Sequence, residues 1–169
     1  GRLTASAVAK AAADEGLSVL VCGAFGPDRD ISHEDEQRRR GGTGYLRHCV
    51  DFAAAVGSSL VSGPMYAPTG QARLLDAGAR AAQWARATDS LAQVAEHARA
   101  ANVRLAVEPL NRFETDLVNT VEQGVRLCAD VGADNVGLLL DTFHMNIEEK
   151  SLPAAITAAR PRVFHFQAS

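Results

Sequence analysis

The sequence predicts an α/β fold built on a parallel sheet, and within that class a partial (β/α)8 TIM barrel. Three observations predict it. Strand-like and helix-like segments alternate five times along the 169 residues, the pattern of a parallel sheet covered by helices. Several strand segments are continuous apolar runs, as expected of strands buried on both faces. Two of these runs end in a carboxylate, and the catalytic groups of such barrels lie at strand ends.

The first helix is expected from Ala5 to Glu15, an alanine-rich segment closed by Gly16, because glycine is common where helices end. The first strand is expected at Leu17 to Cys22. The next segment, Gly23 to Ser32, contains glycine, proline and aspartate and is predicted to be a loop. At about ten residues this loop is long for a connection between a strand and a helix, so it is a candidate part of a site.

The second helix is predicted to begin where Ser32 and Asp35 resemble an N-cap pair. The charged run from His33 to Arg40 is interpreted as a solvated helix face, because acids precede its arginines. Apolar residues at helical spacing predict the buried face of this helix: Leu46, Cys49, Val50, Ala53 and Val56.

The second strand is predicted at Ser59 to Gly63. A long helix is predicted from Arg73 to Ala101, with a break near Thr88-Asp89, and the third strand from Val103 to Glu108. The last predicted elements are a helix that starts at Thr120 and Gln123 and stops at Gly132, a strand from Val136 to Asp141, a helix from Ser151 to Ala159, and a strand from Arg162 to Ala168.

No linker composition interrupts this alternation, so residues 1–169 are predicted to be a single incomplete domain. An open doubly wound sheet would give the same alternation, but no GxGxxG loop follows the first strand, which weakens a nucleotide-binding interpretation. A complete barrel has eight strand–helix units. Five units are therefore expected to be the second to the sixth, with about one unit absent before Gly1 and two after Ser169.

Composition excludes several classes of function. A net charge of −3 and a pI near 5.9 provide no general attraction for nucleic acid or for an anionic membrane, and no apolar run is long enough to span a membrane. A small polar substrate is expected instead. The three cysteines, Cys22, Cys49 and Cys128, lie far apart among apolar residues, which predicts reduced core thiols and a cytoplasmic protein.

The candidate chemistry lies at the ends of the third and fourth strands. Glu108 precedes Pro109, which cannot donate to a sheet ladder, so its carboxylate is expected at the lip of the sheet unless it pairs with Arg112. Asp141 ends a run of apolar residues and must be satisfied by a metal, a cation or backbone amides. A role as the N-cap of a short turn is its alternative.

Two further residues are candidates. His144 is either a satisfied interior histidine or a part of the site, and Glu114 is either solvated or directed into it. Oxygen ligands with at most one imidazole suit Mn²⁺, Mg²⁺ or Co²⁺ better than a thiolate zinc site. Such a cation would chelate adjacent oxygens of a hydroxy-carbonyl compound, and a carboxylate in place could then take the acidified proton beside the carbonyl.

Two segments carry a resemblance to a known family. Residues 108–114 with Asn119 and Thr120, and residues 140–149, closely resemble the signature segments of the ketose 3-epimerases, the tagatose and psicose 3-epimerase group. These enzymes fall within the xylose-isomerase-like barrel superfamily of sugar-phosphate isomerases and epimerases. The resemblance covers essentially the whole chain and implies a divalent-metal-dependent isomerase that epimerises a ketose, or a related sugar phosphate, at C3.

The resemblance also implies roles for individual residues. Glu108 matches a residue that is both a metal ligand and one of two acid/base carboxylates acting at C3, and Asp141 matches a second ligand. Glu114 and His144 match residues that hydrogen-bond the sugar near its carbonyl end. The implied partners are Mn²⁺, or Mg²⁺ or Co²⁺, and a small-molecule sugar, with homo-oligomerisation left open.

The chain departs from the family at two points. Glutamine, as Gln167, stands where the family has a metal-binding histidine, so weaker metal binding is expected unless His165 substitutes for it. The family's fourth ligand, which is also the opposing acid/base glutamate, and its substrate-binding arginine would lie beyond Ser169. Since inversion at C3 needs proton donors on both faces, residues 1–169 alone are predicted to be nearly inactive.

Other functions stay open at this point. A hydroxypyruvate-type isomerase or an inosose dehydratase would share strand-end acids and a metal. Barrel-type DNA-repair endonucleases use three zinc ions and many histidines, whereas only His144 and His165 fall near strand ends here. A degenerate homologue that binds sugar or metal without turnover is the noncatalytic alternative.

Overall fold

The computed structural model describes residues 4–169. They form a curved sheet of five parallel strands in the order β1-β2-β3-β4-β5, so each strand pairs with its predecessor in the chain. This order is that of a barrel, and it confirms the predicted partial (β/α)8 fold. The strands are β1 Val21–Cys22, β2 Leu60–Gly63, β3 Arg104–Val107, β4 Val136–Asp141 and β5 Val163–Gln167.

Helices connect the strands. In the described chain they are α1 Ala5–Asp14, α2 Glu36–Ala55, α3 Ala77–Ala100, α4 Val121–Val131, α5 Thr142–Glu148 and α6 Leu152–Ala159, with 3₁₀ turns at Pro27–Arg29 and Arg160–Arg162. Helix α5 was not predicted from the sequence. It follows β4 without a loop, because Asp141 both ends the strand and caps the helix.

Two predicted boundaries near the start of the chain are wrong. β1 is shorter than the predicted 17–22, since it lies at the edge of the described sheet and pairs with β2 alone. Helix α2 is capped by Asp35, whose Oδ1 accepts the Gln37 N–H at 2.7 Å, and not by Ser32. The Ser32 hydroxyl donates instead to Oδ1 of Asp30 at 2.6 Å.

The predicted break in the third long helix is also wrong. Helix α3 is continuous from Ala77 to Ala100 and passes through Thr88-Asp89 without interruption. The hydroxyl of Thr88 donates to the backbone carbonyls of Trp84 and Ala85 in the preceding turn, at 3.2 and 2.9 Å. The helix thereby satisfies a side chain that otherwise competes for backbone hydrogen bonds.

The predicted start and end of α4 are confirmed. Thr120 and Gln123 form a capping box, in which each side chain accepts a hydrogen bond from the backbone N–H of the other. Gly132 takes the left-handed conformation, with φ of 73°, which a residue with a side chain rarely adopts. The capping box and Gly132 therefore set the two ends of α4, the helix that comes after the loop following β3.

The sheet is packed on both faces. The main core lies between the strands and the helices, whereas Leu60, Ala106 and Leu139, with Phe164 against them, form a smaller cluster separate from it. Gly137 makes room for this cluster, because a Cβ there would lie 2.7 Å from the Phe164 ring. We assign the smaller cluster to the barrel interior, below the strand ends that carry the candidate site.

All three cysteines are free thiols. Cys49 and Cys128 are buried as predicted, but Cys22 is exposed and does not belong to the core. It lies on the edge strand β1, where no further strand of the described chain covers it. Within residues 4–169, no helix combines the length and the apolar character that crossing a membrane requires.

Candidate functional site

The ends of β3 and β4 bring three predicted site residues together. Side-chain ligand atoms of Glu108, Asp141 and His144 all lie within 4.8 Å of one another. The parallel pairing of Val107 with Leu138 sets this arrangement, because the carboxyl ends of both strands then meet at the same edge of the sheet. The predicted convergence of Glu108 and Asp141 is therefore present in the structure.

Glu108 is a buried carboxyl group with no lysine or arginine partner among residues 4–169. The residue is 8% exposed, and no donor among residues 4–169 makes a hydrogen bond to its carboxylate. Its burial, followed by the negative charges of Asp141 and Glu114, raises the pKa of Glu108 to about 7. A divalent cation beside Glu108 and Asp141 would supply the missing opposite charge, so the donor set fits such an ion.

Arg112 does not pair with Glu108, which removes that alternative. Its guanidinium binds Glu148 on helix α5 through two contacts of 2.9 Å, and the Arg112 backbone N–H donates to the same carboxylate at 2.7 Å. The Glu148 side chain is only 5% exposed. This bidentate pair ties the loop after β3 to α5 and leaves the Glu108 carboxylate free.

One of the two carboxylate oxygens of Asp141 accepts hydrogen bonds from within the chain. Its Oδ1 accepts the Phe143 N–H at 2.8 Å and the Ser169 hydroxyl at 3.0 Å, so the alternative role as an N-cap is present. Within the described residues, Oδ2 makes no hydrogen bond and remains free to bind a cation. The capping role and a ligand role for Asp141 are therefore compatible.

His144 lies beside Glu108 on the first turn of α5. The residue is 8% exposed, and its Nε2 lies 3.7 Å from Oε1 of Glu108. Its Nδ1 faces Asn111, with the backbone nitrogen at 3.1 Å and the side-chain Nδ2 at 2.9 Å. The ring is thus held from one side and directs its other nitrogen toward the candidate metal ligands.

Glu114 lies at the rim of the site. Its side chain is 44% exposed, and its Oε1 accepts a hydrogen bond from Nδ2 of Asn111 at 3.2 Å. The same oxygen lies 4.0 Å from Nδ1 of His144. Glu114 is therefore partly solvated, and it is also held close enough to contact a ligand bound beside His144.

The strand register places Gln167 next to the site. A β-bulge between Leu138 and Leu139 shifts the pairing of β5, so that Leu139 pairs with His165 and Asp141 pairs with Gln167. Paired residues on neighbouring strands project to the same face of a sheet. His165 lies outside the three-residue group among the described residues, whereas Gln167 is the strand partner of a candidate ligand.

Sequence reasoning missed the role of Asn111. The residue is 2% exposed and contacts both His144 and Glu114, which lie on separate segments of the chain. A polar amide directly after the apolar pair Pro109-Leu110 was the available signal. Nothing in the sequence alone indicated which partners that amide would find.

A charged network holds the surrounding loops. Asp116, in the loop after β3, accepts hydrogen bonds from Arg73 in the loop after β2 and from Arg80 on α3, each at 3.1 Å. Arg80 also donates to Gln83, which in turn donates to the hydroxyl of Ser32 in the loop after β1. Three consecutive loops at the same edge of the sheet are thereby linked.

The chain is similar to sugar epimerases in both sequence and structure. A model of the family described as xylose isomerase-like TIM barrel matches residues 2–169. The chain is 42% identical over 156 residues to an L-ribulose 3-epimerase of Mesorhizobium japonicum, which covers 92% of this chain and 52% of the relative. It is 34% identical over 163 residues to a D-psicose 3-epimerase of Agrobacterium fabrum, covering 94% and 55%.

A solved structure of an L-ribulose 3-epimerase superposes on the chain with a TM-score of 0.93 at 36% identity, covering 99% of this chain and 55% of that one. A D-psicose 3-epimerase from Clostridium cellulolyticum H10, crystallised with D-tagatose, superposes with a TM-score of 0.91 at 27% identity. The chain spans about half the length of the curated relatives it matches. These matches confirm the resemblance that the two motifs carry.

Proposed function

Because the chain belongs to the xylose isomerase-like TIM barrel family, we propose that the full-length protein containing it epimerises a ketose, or a related sugar phosphate, at C3. The observation that carries this proposal is Glu108, a buried carboxylate beside Asp141 with no lysine or arginine partner among residues 4–169. The names of the relatives, L-ribulose 3-epimerase and D-psicose 3-epimerase, supply the substrate class.

The cofactor we propose is Mn²⁺, with Mg²⁺ or Co²⁺ as alternatives. Glu108 and Asp141 would hold it, and the amide oxygen of Gln167 would be a third, weaker ligand. When bound, the cation would polarise the sugar carbonyl and acidify the neighbouring C–H bond. The two carboxylates and the neutral amide would form an oxygen-donor set, which suits these cations better than a thiolate site does.

Glu108 is the acid/base residue in this proposal. In the metal-free chain, burial and the neighbouring carboxylates raise its pKa to about 7. A bound cation would lower that pKa and favour the carboxylate form, which accepts the proton. His144 and Glu114 would hydrogen-bond the sugar oxygens next to the carbonyl. Their contacts to Asn111 support this assignment, since these contacts place both side chains on the same side of the site.

Inversion at C3 requires a second carboxyl group opposite Glu108. A proton is removed from one face of the sugar and returned to the other, which a single carboxylate cannot do. We expect a strand that completes the barrel to supply this group, and residues 1–169 alone to be nearly inactive.

The free, buried thiols of Cys49 and Cys128 support the cytoplasm as the proposed compartment.

The full-length protein provides the test. We expect the purified protein to interconvert D-psicose or L-ribulose with its C3 epimer in the presence of Mn²⁺, and to incorporate deuterium at C3 in D₂O, as read by proton NMR. EDTA and Glu108→Gln should each abolish both signals. Glu122→Gln, an exposed acid on α4, is the matched control and should retain them. Activity that survives Glu108→Gln would exclude the proposed acid/base role.

A further inference from the structure

The nitrogen atoms of His144 have different environments. Two nitrogen atoms of Asn111 lie within hydrogen-bond distance of Nδ1, the backbone N–H at 3.1 Å and the side-chain Nδ2 at 2.9 Å. A backbone N–H can only donate, so Nδ1 must act as an acceptor and carry no hydrogen. In a neutral imidazole the hydrogen then resides on Nε2, the atom that lies 3.7 Å from Glu108.

The orientation of the Asn111 amide is fixed independently. Its Oδ1 accepts the backbone N–H of Phe113 at 3.0 Å, and a carbonyl oxygen is required for that contact. Its Nδ2 therefore faces the other way, toward Nδ1 of His144 at 2.9 Å and Oε1 of Glu114 at 3.2 Å. A flipped amide would lose the contacts to Phe113 and Glu114, so this assignment does not depend on the state chosen for His144.

The surroundings leave Asn111 little freedom. The residue is 2% exposed and follows the buried Pro109 and Leu110. The next residue, Arg112, is bound through its backbone and its guanidinium to Glu148 on α5. Asn111 is thus fixed from both sides in the chain, and its donors stay directed at His144.

We propose that Asn111 is a positioning residue, which keeps Nδ1 of His144 free of hydrogen so that Nε2–H is presented as a donor to a sugar oxygen beside Glu108. The same amide holds Glu114 at the rim of this subsite. His144 is thereby a hydrogen-bond donor and not a metal ligand, although one of its ring nitrogens lies within 4.8 Å of ligand atoms of both Glu108 and Asp141. The sugar part of this inference rests on the proposed function, whereas the tautomer follows from the contacts alone.

The tautomer can be measured without substrate or metal. We expect ¹⁵N NMR of the full-length protein, labelled at histidine and treated with EDTA, to show an unprotonated Nδ1 and a protonated Nε2 for His144, assigned with His144→Gln. A protonated Nδ1 in the neutral ring would overturn the proposal. This measurement needs no variant at position 111, so it holds even where such a variant fails to fold.

Asn111→Asp tests the positioning role with an isosteric side chain. The variant replaces the donor Nδ2 with a carboxylate oxygen, which competes with the backbone N–H for Nδ1. The Nε2–H tautomer should therefore lose its dominance, and kcat should fall about 10- to 100-fold, the range found for partners that orient metal-binding histidines. Asn146→Asp, an exposed change of the same charge on α5, is the matched control and should leave the tautomer and kcat unchanged. An unchanged tautomer and kcat in Asn111→Asp would overturn the proposal.

Failure of the proposed function gives a different result. A full-length protein that shows the expected His144 tautomer but epimerises no ketose would retain the positioning role of Asn111 and remove the sugar as its purpose. A protein that epimerises ketoses but has a hydrogen on Nδ1 would retain the proposed function and remove the positioning role of Asn111. The spectrum and the assay therefore report on the two proposals separately.

Discussion

Gln167 is the strand partner of Asp141, the residue at which β4 ends. A bulge in the pairing of β4 with β5 is responsible, because it moves the register by one residue before the strands end. Without the bulge, the pairing of Leu138 with Val163 would continue in register and Phe166 would be the partner of Asp141. The register therefore places Gln167, whose amide oxygen can bind a cation, beside the candidate metal ligand Asp141.

Gln167→His should raise the affinity of the full-length protein for Mn²⁺ by about tenfold or more, because imidazole is a stronger ligand than a neutral amide for a transition metal. Isothermal titration calorimetry of the metal-free protein measures this change. Gln37→His, on an exposed part of α2, is the matched control and should leave the affinity unchanged. Equal affinities for the wild type and Gln167→His would show that position 167 does not contact the metal.

Glu108 should make the stability of the metal-free protein depend on pH. Burial beside other carboxylates raises its pKa from 4.5 to about 7, so the ionised form is less favourable in the folded chain than in the unfolded chain. The folded protein gains from protonated Glu108 below about pH 4.5 relative to high pH, and it loses that advantage as the pH rises through 7.

Glu108→Gln removes this ionisation. In EDTA, we expect the variant to be more stable than the wild type at pH 8.5, where Glu108 is charged, and the difference to shrink toward pH 5.5. Urea unfolding followed by circular dichroism at both pH values measures it. Added Mn²⁺ should reverse the order at pH 8.5, since the wild type alone then gains a bound cation. A difference that is independent of pH would contradict the shifted pKa.

The sequence predicted the convergence of Glu108 and Asp141, because an apolar run that ends in an acid indicates both a buried strand and a carboxylate at the end of that strand. It did not predict the partner of Asn111 or the bulge in β5, since both depend on contacts between distant segments. The cap of α2 was missed for a related reason. Ser32 and Asp35 are both good N-cap residues, and only the packing of Ser32 against Asp30 and Gln83 decides between them.

Asp116 should stabilise the loops around the site. Burial opposes its ionisation, but hydrogen bonds from Arg73 and Arg80 outweigh burial and lower the pKa of Asp116 below 3.8. Its contribution is therefore fully present above about pH 4 and is lost as the pH falls through the lowered pKa. Asp116→Asn should cost about 1 kcal/mol at pH 7, a value discounted for screening by solvent.

Urea unfolding at pH 7 and pH 3 tests this prediction, with the difference between Asp116→Asn and the wild type expected to be smaller at pH 3 than at pH 7. Asp134→Asn is the matched control, because Asp134 pairs with Arg99 at an exposed site and should matter much less. A loss of stability that is as large at pH 3 as at pH 7 would attribute the effect to packing and not to the charge of Asp116.

Gly137→Ala should destabilise the barrel interior below the site. A Cβ at this position would lie 2.7 Å from the Phe164 ring and would also meet the backbone carbonyl of Arg162, and a backbone atom cannot give way as a flexible side chain can. Overpacking of this kind costs about 1–3 kcal/mol. Gly44→Ala is the matched control: Gly44 lies in α2 with nothing within 4 Å of an added Cβ, so alanine should stabilise that helix by up to about 1 kcal/mol. Thermal unfolding of both variants should therefore show shifts of opposite sign, and a stable Gly137→Ala would mean that Phe164 does not pack across β4.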